Sequence, residues 1–230
     1  MGSETAKPVA WRMSSVPLSA WSTCAEVMMS PRQLPAPVFN RRVTVQVREF
    51  YRNMEHFFQG RDWPFPAVRE KGECAFEQHY FTVSVGKRFE DGAVRCLVLQ
   101  LTDVPGIARR KEGTRVELGW RHRIEVDLPR SYPLDLHRIR VGVKTPVVNP
   151  RLSKSDACLI VRGDVDRVLA DVVFHVLLEP SRVKPPKMYP GMDHGLDTAA
   201  MRWYQEKPGR PASIHNWLLT CWEEKIRGER

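Results

Sequence analysis

From Thr44 the chain places Val47, Phe50, Tyr51, Met54, Phe57 and Phe58 three and four residues apart with polar residues between them, and Gly60 follows. That spacing gathers the apolar side chains on one stripe of a helix, and the glycine stands where a C-cap belongs. The period then shortens to two. Phe81, Val83 and Val85 alternate with polar neighbours, Asp91-Gly92 is a hairpin signal, and Val94 to Leu101 is a mostly apolar run. The clearest strand follows: Val116, Leu118, Trp120, His122, Ile124, Val126 and Leu128 take every second position, with Glu117, Arg121, Arg123, Glu125 and Asp127 between them. Such alternation predicts one buried face and one wet face. Ile139, Val141 and Val143 repeat the scheme. Four strands joined by short connections predict an antiparallel meander.

Helical spacing returns at Val165, Val168, Leu169, Val172, Val173 and Val176, with Asp164 and Asp166 at the positive end of the helix dipole and Pro180 closing the segment. Two shorter helices are expected after it, one carrying Ala199, Ala200, Trp203 and Tyr204, the other Ile214, Trp217, Leu218, Cys221 and Trp222. Residues 1 to 40, with Pro8, Pro17, Pro31, Pro35 and Pro37, show no sustained period and read as an extension, flexible or docked, ahead of a domain over 41–230. The expected class is α+β: an N-terminal helix, a four-stranded meander, a cysteine-bearing loop, a crossover helix and C-terminal helices. The Thr102–Thr114 loop, with Pro105-Gly106 and Arg109-Arg110-Lys111, reads either as a partner-binding insertion or as a mobile connection.

Composition narrows the classes. With 230 residues, 42% of them hydrophobic, the chain can build a real core, which sets aside wholesale disorder, collagen and coiled coil. No stretch approaches the roughly 20 apolar residues of a membrane helix, so the expectation is a cytoplasmic protein with no membrane partner. Cys24, Cys74, Cys96, Cys158 and Cys221 lie too far apart for a zinc knuckle or a redox dithiol, and no histidine pair has metal spacing. Neither metal nor cofactor is expected. The net charge of +9 makes an acidic partner plausible. Between Pro105 and Val165 there are 13 Lys+Arg against 7 Asp+Glu, a stripe that nucleic acid would use if aromatics were exposed beside it. The aromatics here sit at apolar periodic positions instead, which favours a solvated strand face or docking to an acidic protein over nucleic acid.

The chemistry concentrates between the third strand and the helix at Val165. There the chain reads Pro129-Arg130-Ser131-Tyr132-Pro133, the fourth strand, Thr145-Pro146-Val147-Val148-Asn149-Pro150-Arg151, then Asp156-Ala157-Cys158-Leu159-Ile160, with Leu177-Leu178-Glu179-Pro180 ending the helix. In order and element type this resembles the ubiquitin-conjugating enzyme family, over roughly residues 44 to 205. In that family a strand runs into P-x-x-Y-P, a fourth strand into His-Pro-Asn, and a loop delivers Cys-Leu before a crossover helix. Leu196, Ala199 and Tyr204 look like the family's pattern in the next helix.

The resemblance implies that Cys158 accepts the C-terminus of a ubiquitin-like modifier as a thioester from an activating enzyme and passes it to an amine on a target protein. A thiolate is both a good nucleophile and, from the thioester, a good leaving group. An unperturbed thiol, with pKa about 8.5, is only slightly ionised near neutrality, so Arg151, Lys154 and Arg162 would help by their charge. The chain departs from the family at His-Pro-Asn, which becomes Asn149-Pro150-Arg151, and at a missing tryptophan, where Gly163-Asp164-Val165-Asp166 stands. Asn149 and Arg151 are thus the candidate oxyanion or loop-shaping groups, a role whose loss costs about 2.7–4 kcal/mol in related chemistries. Asp156 or Asp164 would orient or deprotonate the incoming amine. These departures suggest a branch similar to the bacterial ubiquitin-conjugating-like proteins that work beside activating-enzyme-like partners, often in phage defence.

Each residue also has a plainer reading. Cys158 is otherwise a buried structural thiol, the fate of most free cysteines, although the polar run Arg151 to Asp156 before it favours exposure. Asp156 is otherwise a turn residue and Asp164 a helix cap. His122 reads as a hydrogen-bonded core histidine, and Cys96 and Cys221 as core. Two rival functions stand beside the transferase: a catalytically silent scaffold of the same fold that binds the modifier or its activating enzyme, and a basic nucleic-acid-binding module.

Overall fold

The structure is a computed structural model that describes residues 33–110, 116–149, 163–178 and 210–228, and the elements below all belong to the unit Leu34–Arg230. Helix α1 spans Ala36–Gln59, so it opens ahead of the periodic run that predicts it. Pro35 and Pro37 explain the difference: a proline in the first turn gives up an amide that has no helical partner anyway, and its fixed φ suits a helix start. Phe39, Val43, Val47, Phe50, Met54 and Phe58 are fully buried along one stripe, while Arg41, Arg42, Arg48 and Arg52 face outward. Two polar residues interrupt the buried stripe, and both are paired. Asn40 accepts from the Val94 amide at 2.8 Å and donates to Glu73 at 2.9 Å, and the Thr44 hydroxyl accepts from the Cys74 amide at 3.1 Å. These bonds fix the rotation of α1 over the sheet as well as its distance.

The sheet has six antiparallel strands in chain order: β1 (Arg69–Gly72), β2 (Ala75–Glu77), β3 (Phe81–Arg88), β4 (Val94–Arg110), β5 (Val116–Asp127) and β6 (Arg140–Val143). A meander is present, but with two strands more than the four expected. β1 and β2 are only four and three residues long and come from Arg69-Glu70-Lys71-Gly72 and Ala75-Phe76-Glu77, too short and too polar to show a period of two. Within β3 to β5 the pairing Phe81 with Leu101, Val83 with Leu99, Leu99 with Ile124 and Leu97 with Val126 puts the apolar positions on the face under α1. Asp91-Gly92 closes the β3–β4 hairpin as expected, Gly92 having φ 86°. Most of the Thr102–Thr114 loop is strand, because β4 runs on to Arg110 through a bulge between Thr102 and Gly106. Asp103 sits in that bulge at φ 56°, a left-handed position aspartate tolerates better than most residues.

Helix α2 (Val165–Asp171) passes into π-helical turns over Val172–Leu178, and α3 spans Arg210–Ile226. The predicted crossover helix is therefore α-helical only in its first half. The run Val172-Val173-Phe174 offers stiff β-branched and aromatic side chains where the i to i+4 ladder widens. Val165, Val168, Leu169, Val172 and Val173 are buried as their spacing requires. The helix expected around Ala199 to Tyr204 lies outside the described residues. The one expected around Trp217 is α3, at 17 residues longer than expected.

An aromatic cluster holds α3. Trp222 is fully buried and lies 5.3 Å from Phe58, 5.5 Å from Trp63, 6.1 Å from Tyr80 and 6.3 Å from Phe81, mostly edge to face. Residues from α1, the turn after it, the turn before β3 and β3 itself thus close on the one indole that α3 supplies, each burying a large apolar area. Among the described helices none is long and apolar enough to cross a membrane.

Candidate functional site

Asp164 stands at the N-cap of α2, but its side chain makes no capping bond. One carboxylate oxygen, Oδ1, instead accepts the Tyr132 hydroxyl at 3.2 Å and the Arg42 guanidinium at 3.5 Å. The plain reading of Asp164 as a helix cap is thus met in position only. Tyr132 is buried, its ring edge-on to Phe39 with centroids 5.7 Å apart. Burial, and then the nearby Asp164 charge, push its phenol up to about 12, so it remains a proton donor across the working pH range. Arg42 lies 5.9 Å from the same ring and is half exposed. The Tyr132–Pro133 bond is cis. Its turn is pinned from behind: Arg130 binds Asp91 through Nε at 2.9 Å and the Leu34 carbonyl through Nη2 at 2.7 Å. Asp164 is thereby referred to α1 and to the 129–135 turn together. Two residues on, burial raises the Asp166 carboxyl above its ordinary range.

The chain leaving β6 is tied as firmly. Lys144 donates its amide to the Arg123 carbonyl at 2.8 Å, and Val148 donates to the Ile107 carbonyl at 2.7 Å. The end of the β4–β5 hairpin thus carries the segment that leads to Asn149, which is fully buried. Between these two anchors, Thr145 meets His122. The Nε2 of His122 lies 3.1 Å from the Val104 carbonyl and 3.2 Å from the Gly119 carbonyl. Carbonyls only accept, so the neutral ring carries its proton on Nε2 and offers the Nδ1 lone pair to the Thr145 hydroxyl at 3.5 Å. Burial lowers the His122 pKa. His122 is the hydrogen-bonded core histidine its position suggests, and it braces the chain toward Asn149.

Of the candidate site residues, Asn149 and Asp164 are described, one buried and one partly exposed. Arg151, Asp156 and Cys158, with Lys154 and Arg162, lie outside the described residues. The three described cysteines are buried and unbridged. Cys96 and Cys221 are core, as expected, and Cys74 packs its sulfur 3.2 Å from Thr44 Oγ1. Burial raises the Cys74 thiol, and burial raises Cys96 to about 11. Neither is an activated nucleophile. No three of His, Cys, Asp and Glu gather to hold a metal ion among the described residues. On the outer face of the sheet Arg123 and Lys144 both pair with Glu125, at 3.3 and 3.5 Å, so part of the arginine-rich stripe is neutralised in place.

Arg42 and Tyr132 are the site partners that residue patterns miss. Tyr132 is visible only as part of a motif, and Arg42 only as one of several arginines on the outer face of a helix. No family model matches the chain, and no curated protein is recognisably similar to it.

Proposed function

We propose that the chain is a ubiquitin-conjugating-like acyl carrier in which Cys158 accepts a ubiquitin-like modifier from an activating enzyme and hands it to an amine. In the first step the Cys158 thiolate attacks the modifier's thioester on the activating enzyme. A new C–S bond forms, the old one breaks, and the activating enzyme's thiolate leaves. In the second step an amine forms the C–N bond, the Cys158 sulfur departs, and the ammonium proton passes to a nearby carboxylate, with Asp164 or Asp156 in that role.

The observation that carries this reading is the order of elements around residues 150–162: a long amphipathic helix, an antiparallel meander, the buried Tyr132 turn, an anchored exit from β6 and then a helix opened by Asp164. Two further features support it. The described thiols are buried, which leaves Cys24 and Cys158, and of these Cys158 follows the polar run Arg151 to Asp156. Arg123 and Lys144 are engaged with Glu125, which weakens the nucleic-acid reading. The test is incubation with a glycine-ended ubiquitin-like modifier, its activating enzyme and ATP. The expected product is a thiol-reducible adduct that Cys158→Ala abolishes. An adduct that survives this substitution refutes the nucleophile assignment, and no adduct with an active partner pair favours a binding scaffold.

A further inference from the structure

The turn that ends α1 holds a cation in place without a counter-ion. Arg61 and Trp63 both donate their amides to the Phe58 carbonyl, each at 3.0 Å, and Asp62 between them takes a left-handed φ of 54°. The chain is thereby folded back on the last helical turn, with Trp63 buried against Trp222 at 5.5 Å. Above this core the Arg61 guanidinium lies 3.9 Å from the centre of the Phe57 ring and 5.6 Å from that of Trp63. Ring faces attract the charge but leave the five N–H donors in the guanidinium plane unmatched. Among the described residues the Arg61 side chain meets no carboxylate and no other hydrogen-bond acceptor. It is only partly exposed, and burial holds its pKa below the ordinary arginine value. Arg42, Arg48, Arg88 and Arg130 each have an acidic partner, so Arg61 differs in having given up water without gaining one.

The surroundings select the missing acceptor. Arg61 is the sole lysine or arginine from Asn53 to Val68, a stretch that also holds Glu55 and Asp62. A nucleic-acid backbone is bound by several cations together and would set its phosphates against those two acids. A single carboxylate needs one guanidinium, whose fork can meet both oxygens side by side. Phe57 and Phe174, with centroids 4.5 Å apart, are both partly exposed, so apolar side chains flanking that carboxylate find surface to cover. An arginine already ordered against aromatic rings is the composition of an interface anchor, because little side-chain freedom is left to lose on binding.

We propose that Arg61, on its Phe57 and Trp63 platform, anchors a protein-docking surface that takes an acidic side chain flanked by apolar residues. The surface lies at the opposite end of α1 from Arg42 and Asp164, and its test does not depend on the acyl-carrier reading. The probe is the peptide N-acetyl-Leu-Glu-Leu-amide, titrated into the uniformly ¹⁵N-labelled full chain. The Arg61 Nε–H signal, assigned by its absence in Arg61→Lys, is expected to move saturably with millimolar affinity. The glutamine counterpart, N-acetyl-Leu-Gln-Leu-amide, should bind about tenfold more weakly or worse. Followed through the Gly60 and Asp62 amides, Arg61→Ala should weaken binding of the glutamate peptide by about tenfold. Arg61→Lys keeps the charge without the fork and should fall between the two. Equal urea midpoints for parent and variants would show that the platform is intact. No movement of the Arg61 signal, equal binding of the glutamine peptide, or an Arg61→Ala protein that binds as well as the parent would overturn the proposal. A thymidine oligonucleotide that moves the same signal at lower concentration would overturn the choice of a protein partner.

Discussion

The two ends of this domain are held by different physics. Around Trp222, four further aromatic residues, from α1, β3 and the turns after α1 and before β3, pack edge to face, and cohesion comes from area and dispersion, with no direction or charge to set it. Around Asp164 and Asn149, the chain entering and leaving residues 150–162 is located by a few directional bonds: Tyr132 and Arg42 on Asp164, His122 with Thr145, and Val148 on Ile107. The first arrangement is insensitive to pH and salt but intolerant of lost volume. The second fixes where Asp164 and Asn149 stand by direction rather than by volume, and each of its bonds is worth little alone.

The largest effect should come from emptying the aromatic end. Trp222→Ala removes a fully buried indole at the meeting point of α1, β3 and α3. A loss of about 3–5 kcal/mol is expected, from transfer and cavity terms together. Urea denaturation read by fluorescence and far-ultraviolet circular dichroism would measure it, and the loss should be the same at pH 5 and pH 7 and at low and high salt. A loss that changed strongly with pH would break the contrast between the two ends.

The contrast also explains what the residue pattern revealed beforehand. β3, β4, β5 and the buried stripe of α1 are legible because each repeats an apolar position at a fixed period over many residues. β1 and β2 are not, since seven residues with four charges among them carry no period, and their pairing is secured by β3 and by Cys74 against Thr44. The change from α to π turns at Val172 is equally silent, because the same valines satisfy either spacing. Asp164 could be placed at a helix start from its neighbours, but its true partners, Arg42 and Tyr132, are 122 and 32 residues away in the chain. Such contacts come from tertiary structure alone. Gln78 is the extreme case: a lone glutamine between polar neighbours gives no sign that it is buried with an idle donor.

A smaller effect, confined to the polar end, should appear with pH. Burial lowers the His122 pKa in the folded chain, while the unfolded chain titrates near 6.5. As pH falls through about 6.5 the unfolded state takes up a proton that the folded state refuses, so stability declines from there down to the lowered folded value. The slope contributed by one group is at most about 1.4 kcal/mol per pH unit. Protonation would also reverse the Thr145 contact, with Nδ1 donating to the hydroxyl oxygen that now donates to it. His122→Gln should flatten this part of the stability–pH curve, measured by urea midpoints between pH 7.5 and 5. An unchanged curve would remove His122 from the polar end's pH response.

The smallest expected effect separates the two partners of Asp164. Tyr132→Phe leaves the buried ring in place against Phe39 and deletes only the hydroxyl. A hydrogen bond to a charged acceptor contributes about 1.5–3 kcal/mol, but at 3.2 Å and with Asp164 about one-third exposed to water the loss should be nearer 1 kcal/mol. Arg42→Gln should cost less still, since the 3.5 Å pair is solvent-screened, and its effect should fade in high salt. The two losses should be non-additive, because both donors meet the same Oδ1 and removing one lets the other approach. A double-mutant cycle at low and high salt measures this directly. A coupling energy of zero at both would mean that the two donors act on Asp164 independently of one another.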